Sequence, residues 1–243
     1  MDVWLASSSR KRSAEPRPRR KLLSEKFFHR TSLEVAPALL GKILVTSVRG
    51  QKTAGRIVEV EAYRGVLSEG GVDPAAHSAR GCTPRSAPMF EDPGRAYVYF
   101  IYGMYPLLNF VTEPAGCPSA VLIRAVEPLE GIELMCKRRS FTLRRVRDIP
   151  QKVNPLAGML VAKLASGPGR LAQAMGITMS WNRASLRGPK ITVWDDGFRP
   201  CEILATPRVG IQKGRELPWR FIVRGSNAVT PVPENKRGIS LEM

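Results

Sequence analysis

The stretch Arg56-Ile57-Val58-Glu59-Val60-Glu61-Ala62-Tyr63 constrains this chain more than any other. It alternates residue by residue, and a β-strand sends successive side chains to opposite faces. The pattern therefore predicts a strand with Val58, Val60 and Ala62 facing the core and Glu59, Glu61 and Tyr63 sharing the other face. Two carboxylates and an aromatic ring on one face are costly to bury without compensation. A half-solvated edge strand satisfies the pattern as it stands. A polar site built on the strand satisfies it only if other segments supply partners.

Charge narrows the partners. The chain has 38 Lys and Arg against 21 Asp and Glu, a formal net charge of +17 over 243 residues. Such a surface suits a polyanion, because neutralising phosphates releases counterions. An anionic membrane surface would attract it too, but no uninterrupted apolar run approaches spanning length. Hydrophobic content of 43% is enough for the core of one domain with extensions. The four cysteines (Cys82, Cys117, Cys136 and Cys201) lack C-x-x-C spacing, and His29 and His77 are the two histidines. That set does not compose a zinc site. No segment reads as a signal peptide, so free cysteines and an intracellular compartment are expected.

Residues 1–26 read as a disordered basic arm, with Arg10, Lys11, Arg12, Arg17, Arg19, Arg20, Lys21 and Lys26 among serines and prolines. A solvated tail, a non-specific DNA arm and a nuclear import signal all fit. The fold is expected to begin at Phe27-Phe28, with a short helix over 33–40, capped by Thr31 or Ser32 and stopped at Gly41. Strands over 42–48 and 53–63 would meet in a hairpin at Gly50. Residues 64–88 form a long loop, of a kind often functional. A strand over 96–101, a turn at 102–106 and a returning strand over 107–112 follow, then a strand over 121–126. A helix is predicted from Pro128, and a basic stretch runs on to Lys152. Ser166-Gly167-Pro168-Gly169-Arg170 reads as a tight loop entering a helix, whose amides and Arg170 favour an anion. Strands recur over 191–226, including 208–211, and residues 227–243 read as a polar, frayed tail. No internal repeat or second domain is visible.

Four ordered runs carry a resemblance: Gly55-Arg56-Ile57-Val58-Glu59-Val60-Glu61-Ala62-Tyr63; Ala75-Ala76-His77-Ser78 with Thr83-Pro84-Arg85 and Met89-Phe90; Tyr97-Val98-Tyr99-Phe100-Ile101-Tyr102-Gly103-Met104-Tyr105 leading to Asn109; and 120–131, which contains Arg124. Together they resemble the alkyladenine (3-methyladenine) DNA glycosylase family over residues 27–226. The resemblance implies a mixed α/β (α+β) single domain: a curved, mainly antiparallel sheet flanked by helices, with a protruding hairpin. It implies base-excision repair of alkylated or deaminated purines. The expected partner is double-stranded DNA containing damaged purines, bound by a monomer with no metal, cofactor or membrane.

The family's roles fall on particular residues here. Glu61 matches the general base that activates water, and Arg124 the arginine beside it that helps fix that water. Val209 matches the residue whose carbonyl holds it. Tyr63, His77 and Tyr99 match the base pocket, with aromatic faces that stack on purines and favour cationic ones. Asn109 matches the residue that obstructs the exocyclic amino group of normal guanine. Tyr102, at the hairpin tip, matches the wedge left in the stack when a base is flipped. Arg85, Met104, Tyr105, Gly167 and Arg170 match DNA contacts. No lysine in these runs is placed for a Schiff base, so hydrolysis by water is expected. Glu59 reads as structural. A non-catalytic binder of damaged nucleic acid and a small-nucleoside hydrolase are the competing classes. Glu61 and Arg124 argue against the first, Tyr102 and the charge against the second.

Overall fold

The structure is a computed structural model that describes residues 20–65, 73–140 and 155–241. Its spine is β3 (Gln51–Tyr63), the strand that carries the alternating stretch. β2 (Ile43–Val48) enters it through Arg49 and Gly50, at φ 50° and 78°. Two successive positive-φ residues make a turn whose twist matches the flanking strands. Beyond β2 lie β7 (Ile191–Asp195) and, at the margin, β1 (Lys21–Leu22). On the other side of β3 lie β6 (Ser119–Glu130), β5 (Tyr105–Thr112) and β4 (Ala96–Ile101). The order is β1-β7-β2-β3-β6-β5-β4, antiparallel throughout.

A strand has two edges, and β3 uses one of them twice. β2 pairs with its first half, through Arg56, while β9 (Arg220–Val223) pairs with Glu59–Glu61. β8 (Ile203–Thr206) and β10 (Ile239–Ser240) extend that branch. The sheet forks at the acidic residues, which sit between three strands rather than at an edge.

Five helices flank the sheet among the described residues: α1 (Glu25–Phe28), α2 (Ser32–Leu39), α3 (Ile132–Arg138), α4 (Pro155–Ala162) and α5 (Pro168–Met175). α2 starts where its cap predicts: Thr31 Oγ1 accepts from the Glu34 amide at 3.3 Å, and Glu34 accepts from the Thr31 amide at 3.0 Å. Such reciprocal capping contributes about 1 kcal/mol. α2 then lays Val35, Ala36 and Leu39 on the main core with Leu44, Ile57, Val60 and Phe110. This is the α+β single domain the resemblance implies.

Within residues 56–63 strict alternation fails around Glu59. Ile57 pairs with Val126 and Glu59 with Ala125, which skips Val58; Glu59–Val60 then spans Ala125–Ile123, which skips Arg124. A bulge on each strand changes the facing of the residues around it. Val58 therefore leaves Val60 and Ala62 and joins a second small core with Ala125, Leu204 and Ile222.

Other boundaries shift as well. Residues 128–130, expected to be helical, continue β6, and Gly131 at φ 72° begins the turn into α3. Residues 208–211 are loop, not strand. Residues 20–26, assigned to the arm, belong to the fold, since β1 pairs with β7 and Arg20 ion-pairs Glu130. The tail is not frayed over its described length: Ala228 and Val229 are buried and β10 pairs with β8. Residues 1–19 and most of the basic stretch ending at Lys152 lie outside the described residues, as does 66–72.

Candidate active site

The fork of the sheet opens into a cavity of about 280 Å³. Glu61, Tyr63 and Arg124 form its floor, Tyr97, Tyr99 and Ile101 of β4 one wall, and Asn109 of β5 lies beside them. His77, Arg85, Tyr102, Pro168 and Val209 reach it from loops and turns. Residues from 61 to 209 in the sequence thus meet around one space. Tyr97, Tyr99 and Ile101 share it because they alternate on one face of β4.

The Glu61 side chain is fully buried and borders this cavity. Its Oε2 accepts from the Tyr63 hydroxyl at 2.8 Å. Its Oε1 accepts from the Val209 amide at 2.8 Å and lies 3.3 Å from Arg124 Nη1. A carboxylate has about four acceptor positions. Two hydrogen bonds and the Arg124 ion pair leave Glu61 with acceptor capacity to spare beside the cavity. Val209 meets Glu61 through its N–H, whereas the resemblance points to its carbonyl. Burial, and then the Glu61 carboxylate, hold the Tyr63 phenol well above its ordinary range, so it stays a donor.

Glu59 is also fully buried, and its four positions are filled. Oε1 accepts from Nε of Arg124 and Nε of Arg220, both at 2.8 Å, and Oε2 from the Thr230 amide at 2.8 Å and hydroxyl at 2.6 Å. Burial would raise its pKa, but Arg124, Arg220 and Thr230 outweigh this and lower it. Arg124 links the two acids. Burial opposes its charge, yet Glu61 and Glu59 together hold its pKa above the ordinary value.

The wall around His77 is fixed by chemistry that permits one tautomer. Arg85 Nη2 lies 3.3 Å from Nε2, and a guanidinium can only donate, so Nε2 accepts. Nδ1 then carries the proton and donates to Tyr97 Oη at 2.8 Å. Burial, then the Arg85 charge, lower the pKa of His77 to about 4, which leaves the ring neutral at pH 7. The ring stands edge-on to Tyr99, centroids 4.4 Å apart, while the Arg85 guanidinium sits 4.9 Å over Tyr99. Burial pushes the Tyr99 phenol up to about 12. Asn109 is pinned by Nδ2 donating to the Tyr97 carbonyl at 3.1 Å.

At the mouth, the β4–β5 hairpin ends in Tyr102 and Gly103 at φ 52° and 67°. A non-glycine residue at positive φ costs roughly 1–2 kcal/mol. Here it holds an aromatic ring 83% exposed at the tip, with Met104 65% exposed beside it. Tyr105, half exposed, lies against α5: a Cβ on Gly169 would meet its Cβ at 3.4 Å. Gly167 precedes α5 at φ 96°, and Arg170 is exposed one turn in.

Two functional-looking residues leave no clear signal in the sequence. Arg208 is buried, donates Nη2 to Asp73 Oδ1 at 2.8 Å and Nη1 to the Ala62 carbonyl at 3.0 Å, and lies 4.7 Å over the Tyr63 ring. It clips the 73–77 loop to the strand end and seats Val209. Asp73 carries no local signal. Arg208 has only its place before Val209-Gly210 to mark it.

The forked antiparallel sheet thus sets an acid and an arginine beside an aromatic pocket, with a bare aromatic at the tip of the neighbouring hairpin. The family model for methylpurine-DNA glycosylase (MPG) matches residues 26–227, and the chain belongs to that family. It is therefore a DNA glycosylase, a hydrolase of N-glycosyl bonds, with DNA as its substrate. A protein of Burkholderia cenocepacia (strain HI2424), named "Putative 3-methyladenine DNA glycosylase", is 43% identical over 91% of this chain and 96% of its own. Proteins of the same name from Alkaliphilus oremlandii and Rhodopseudomonas palustris are 44% and 45% identical over 83% and 86% of this chain and 95% and 90% of theirs. Among the described residues no helix is long and apolar enough to cross a membrane.

Proposed function

We propose that the protein, as a monomer on double-stranded DNA, flips damaged purines into the cavity and cuts them out with water. The observation that carries this reading is that Glu61, held by two hydrogen bonds and the Arg124 ion pair, lines the cavity with acceptor capacity that Glu59 lacks. A water molecule there gives its proton to Glu61 as it attacks C1′ of the deoxyribose. The N-glycosidic bond breaks with its electron pair going to the base: a cationic alkylated purine leaves neutral, and a neutral deaminated one takes up a proton from solvent as it leaves. The carboxylate stabilises the positive charge on the oxocarbenium-like sugar. Arg124 and Val209 keep the water and the carboxylate in register. The step needs no lysine adduct, so the product is an abasic site with no strand cleavage.

Tyr63 and Tyr99 bracket the extrahelical purine and neutral His77 meets its edge. Asn109, tied to Tyr97, leaves too little room for the 2-amino group of guanine. Tyr102 fills the vacated stack, while Met104, Tyr105, Gly167, Arg170 and, once it swings off Tyr99, Arg85 hold the backbone. Unstacking costs a few kcal/mol, which the wedge and the pocket together offset. Alkylated and deaminated purines are the substrate class. The test is single-turnover release of free base from duplexes each bearing one lesion, with parent and Glu61→Gln. Release by the parent, none by the variant and intact strands support the reading; equal release by both would sink it.

A further inference from the structure

We propose that the segment 228–240, and Thr230 above all, is a positioning element for base excision: it holds Glu59 so that Glu59 aims Arg124 at Glu61. The inference rests on Glu61 being the proton acceptor. The segment lies beyond the residues matched by the family model, which end at 227.

One oxygen of Glu59 bonds it directly and the other is linked to it through Arg220. Thr230 donates its amide and hydroxyl to Oε2, at 2.8 and 2.6 Å. Asn235 Nδ2 donates to the Thr230 carbonyl at 3.0 Å, and Asn235 Oδ1 accepts from Arg220 Nη1 at 2.9 Å. Arg220 in turn donates Nε to Glu59 Oε1 at 2.8 Å. Arg124 Nε meets that same oxygen at 2.8 Å, which sets its Nη1 at 3.3 Å from Glu61. A carboxylate with every acceptor position filled cannot rotate without breaking a bond, so the guanidinium bound to it is fixed as well. The segment is itself anchored at both ends. Ala228 is buried in the small core with Val58, and β10 pairs with β8, where the Leu241 amide donates to the Ile203 carbonyl at 2.9 Å. The chain therefore runs from an anchored strap through Thr230, Glu59 and Arg124 to Glu61, with no contact between the strap and DNA required.

Misplacing a catalytic partner by about 1 Å costs on the order of 100-fold in rate. Thr230→Ala removes one of the two bonds to Oε2 and should slow single-turnover excision about 10-fold, with affinity for a lesion duplex unchanged. Thr230→Ser returns the hydroxyl and should restore the rate. Should Thr230→Ala fail to fold, Asn235→Ala asks the same question through the other oxygen. Parental rates in these variants, or loss of rate and affinity together without rescue by serine, would overturn the proposal. Unfolding of both alanine variants would overturn it too, because the segment would then act on stability alone. Glu61→Gln assayed alongside separates the two readings. If Glu61→Gln is inactive while Thr230→Ala is normal, only the strap is wrong; if Glu61→Gln excises normally, the underlying mechanism is wrong.

Discussion

Glu59 and Glu61 stand two residues apart on β3, both fully buried, both in contact with Arg124. They differ in what is left over. Glu59 accepts four hydrogen bonds from Arg124, Arg220 and Thr230 and has no position free. Glu61 accepts two hydrogen bonds, ion-pairs Arg124 and lines a cavity. Burying a carboxylate requires compensation, and complete compensation makes it inert. Incomplete compensation beside a space for substrate makes a reactive group. Sequence alternation puts both acids on one face, but only the surrounding strands divide the labour between them.

Exchanging charge for shape at each position should give opposite outcomes. Glu61→Gln keeps the outline and loses the proton acceptor. Excision should fall by roughly 10²–10⁴-fold, the range for general-base catalysis, with the melting temperature near that of the parent. Single-turnover kinetics and a thermal melt on the same preparation measure both. A large fall in Tm for Glu61→Gln would mean that the two acids are alike.

Glu59→Gln should reverse the pattern in stability. It leaves the buried Arg220 without the Glu59 charge and Arg124 with Glu61 alone, and breaking such buried pairs costs about 3–5 kcal/mol. The loss should depend on pH. The folded state holds the Glu59 pKa below its ordinary 4.5, so this carboxylate contributes fully above that value and its contribution fades as pH falls through the folded pKa. Urea unfolding of parent and variant should therefore differ most near neutrality and converge in acid. A gap that is constant with pH would remove the charge from the explanation.

These contrasts also mark what the sequence could tell. Alternation in β3 and β4 places Glu61, Tyr63, Tyr97 and Tyr99, because a two-residue period is a local property of the chain. It misplaces Val58, since a bulge arises from how β3 and β6 register, with Val58 skipped on one and Arg124 on the other. Thr31, one of the two candidate caps, marks the start of α2, because the Glu34 that completes the cap lies only three residues on. Asp73 and Arg208 meet 135 residues apart and Thr230 meets Glu59 at a separation of 171, so neither pair leaves a mark in its neighbourhood. A polar tail looks frayed until its partners are known to be buried acids.

The hairpin tip offers a contrast of its own, between a ring that packs and one that waits. Tyr97 is buried and bonded to His77, while Tyr102 is 83% exposed. Replacing Tyr102 with Ser should leave stability alone and weaken capture of the flipped base by about 1–3 kcal/mol, the worth of one aromatic–base stack. The deficit should shrink when the lesion sits opposite a mismatch, where unstacking costs less. An equal deficit in both contexts, read by stopped-flow fluorescence of a base analogue beside the lesion, would show that the ring does not act as a wedge.

The smallest effect should come from residues 1–19. Because β1 and Arg20 belong to the sheet, the informative cut removes residues 1–19 and leaves Arg20 on Glu130. Those residues include Arg10, Lys11, Arg12, Arg17 and Arg19 against Asp2 and Glu15. Binding to phosphates carries little lesion information, so the truncated protein should hold lesion and undamaged duplexes more weakly by the same factor. For every phosphate that is no longer neutralised, the slope of log affinity against log salt should fall by roughly 0.9. Excision at saturating enzyme should stay at the parental rate, since the described residues that line the cavity run from Glu61 to Ile211. A salt titration of both proteins on both duplexes decides it. If lesion preference drops while the slope is unchanged, the first nineteen residues touch the damaged site itself, and division of labour by charge and shape fails at this end of the chain.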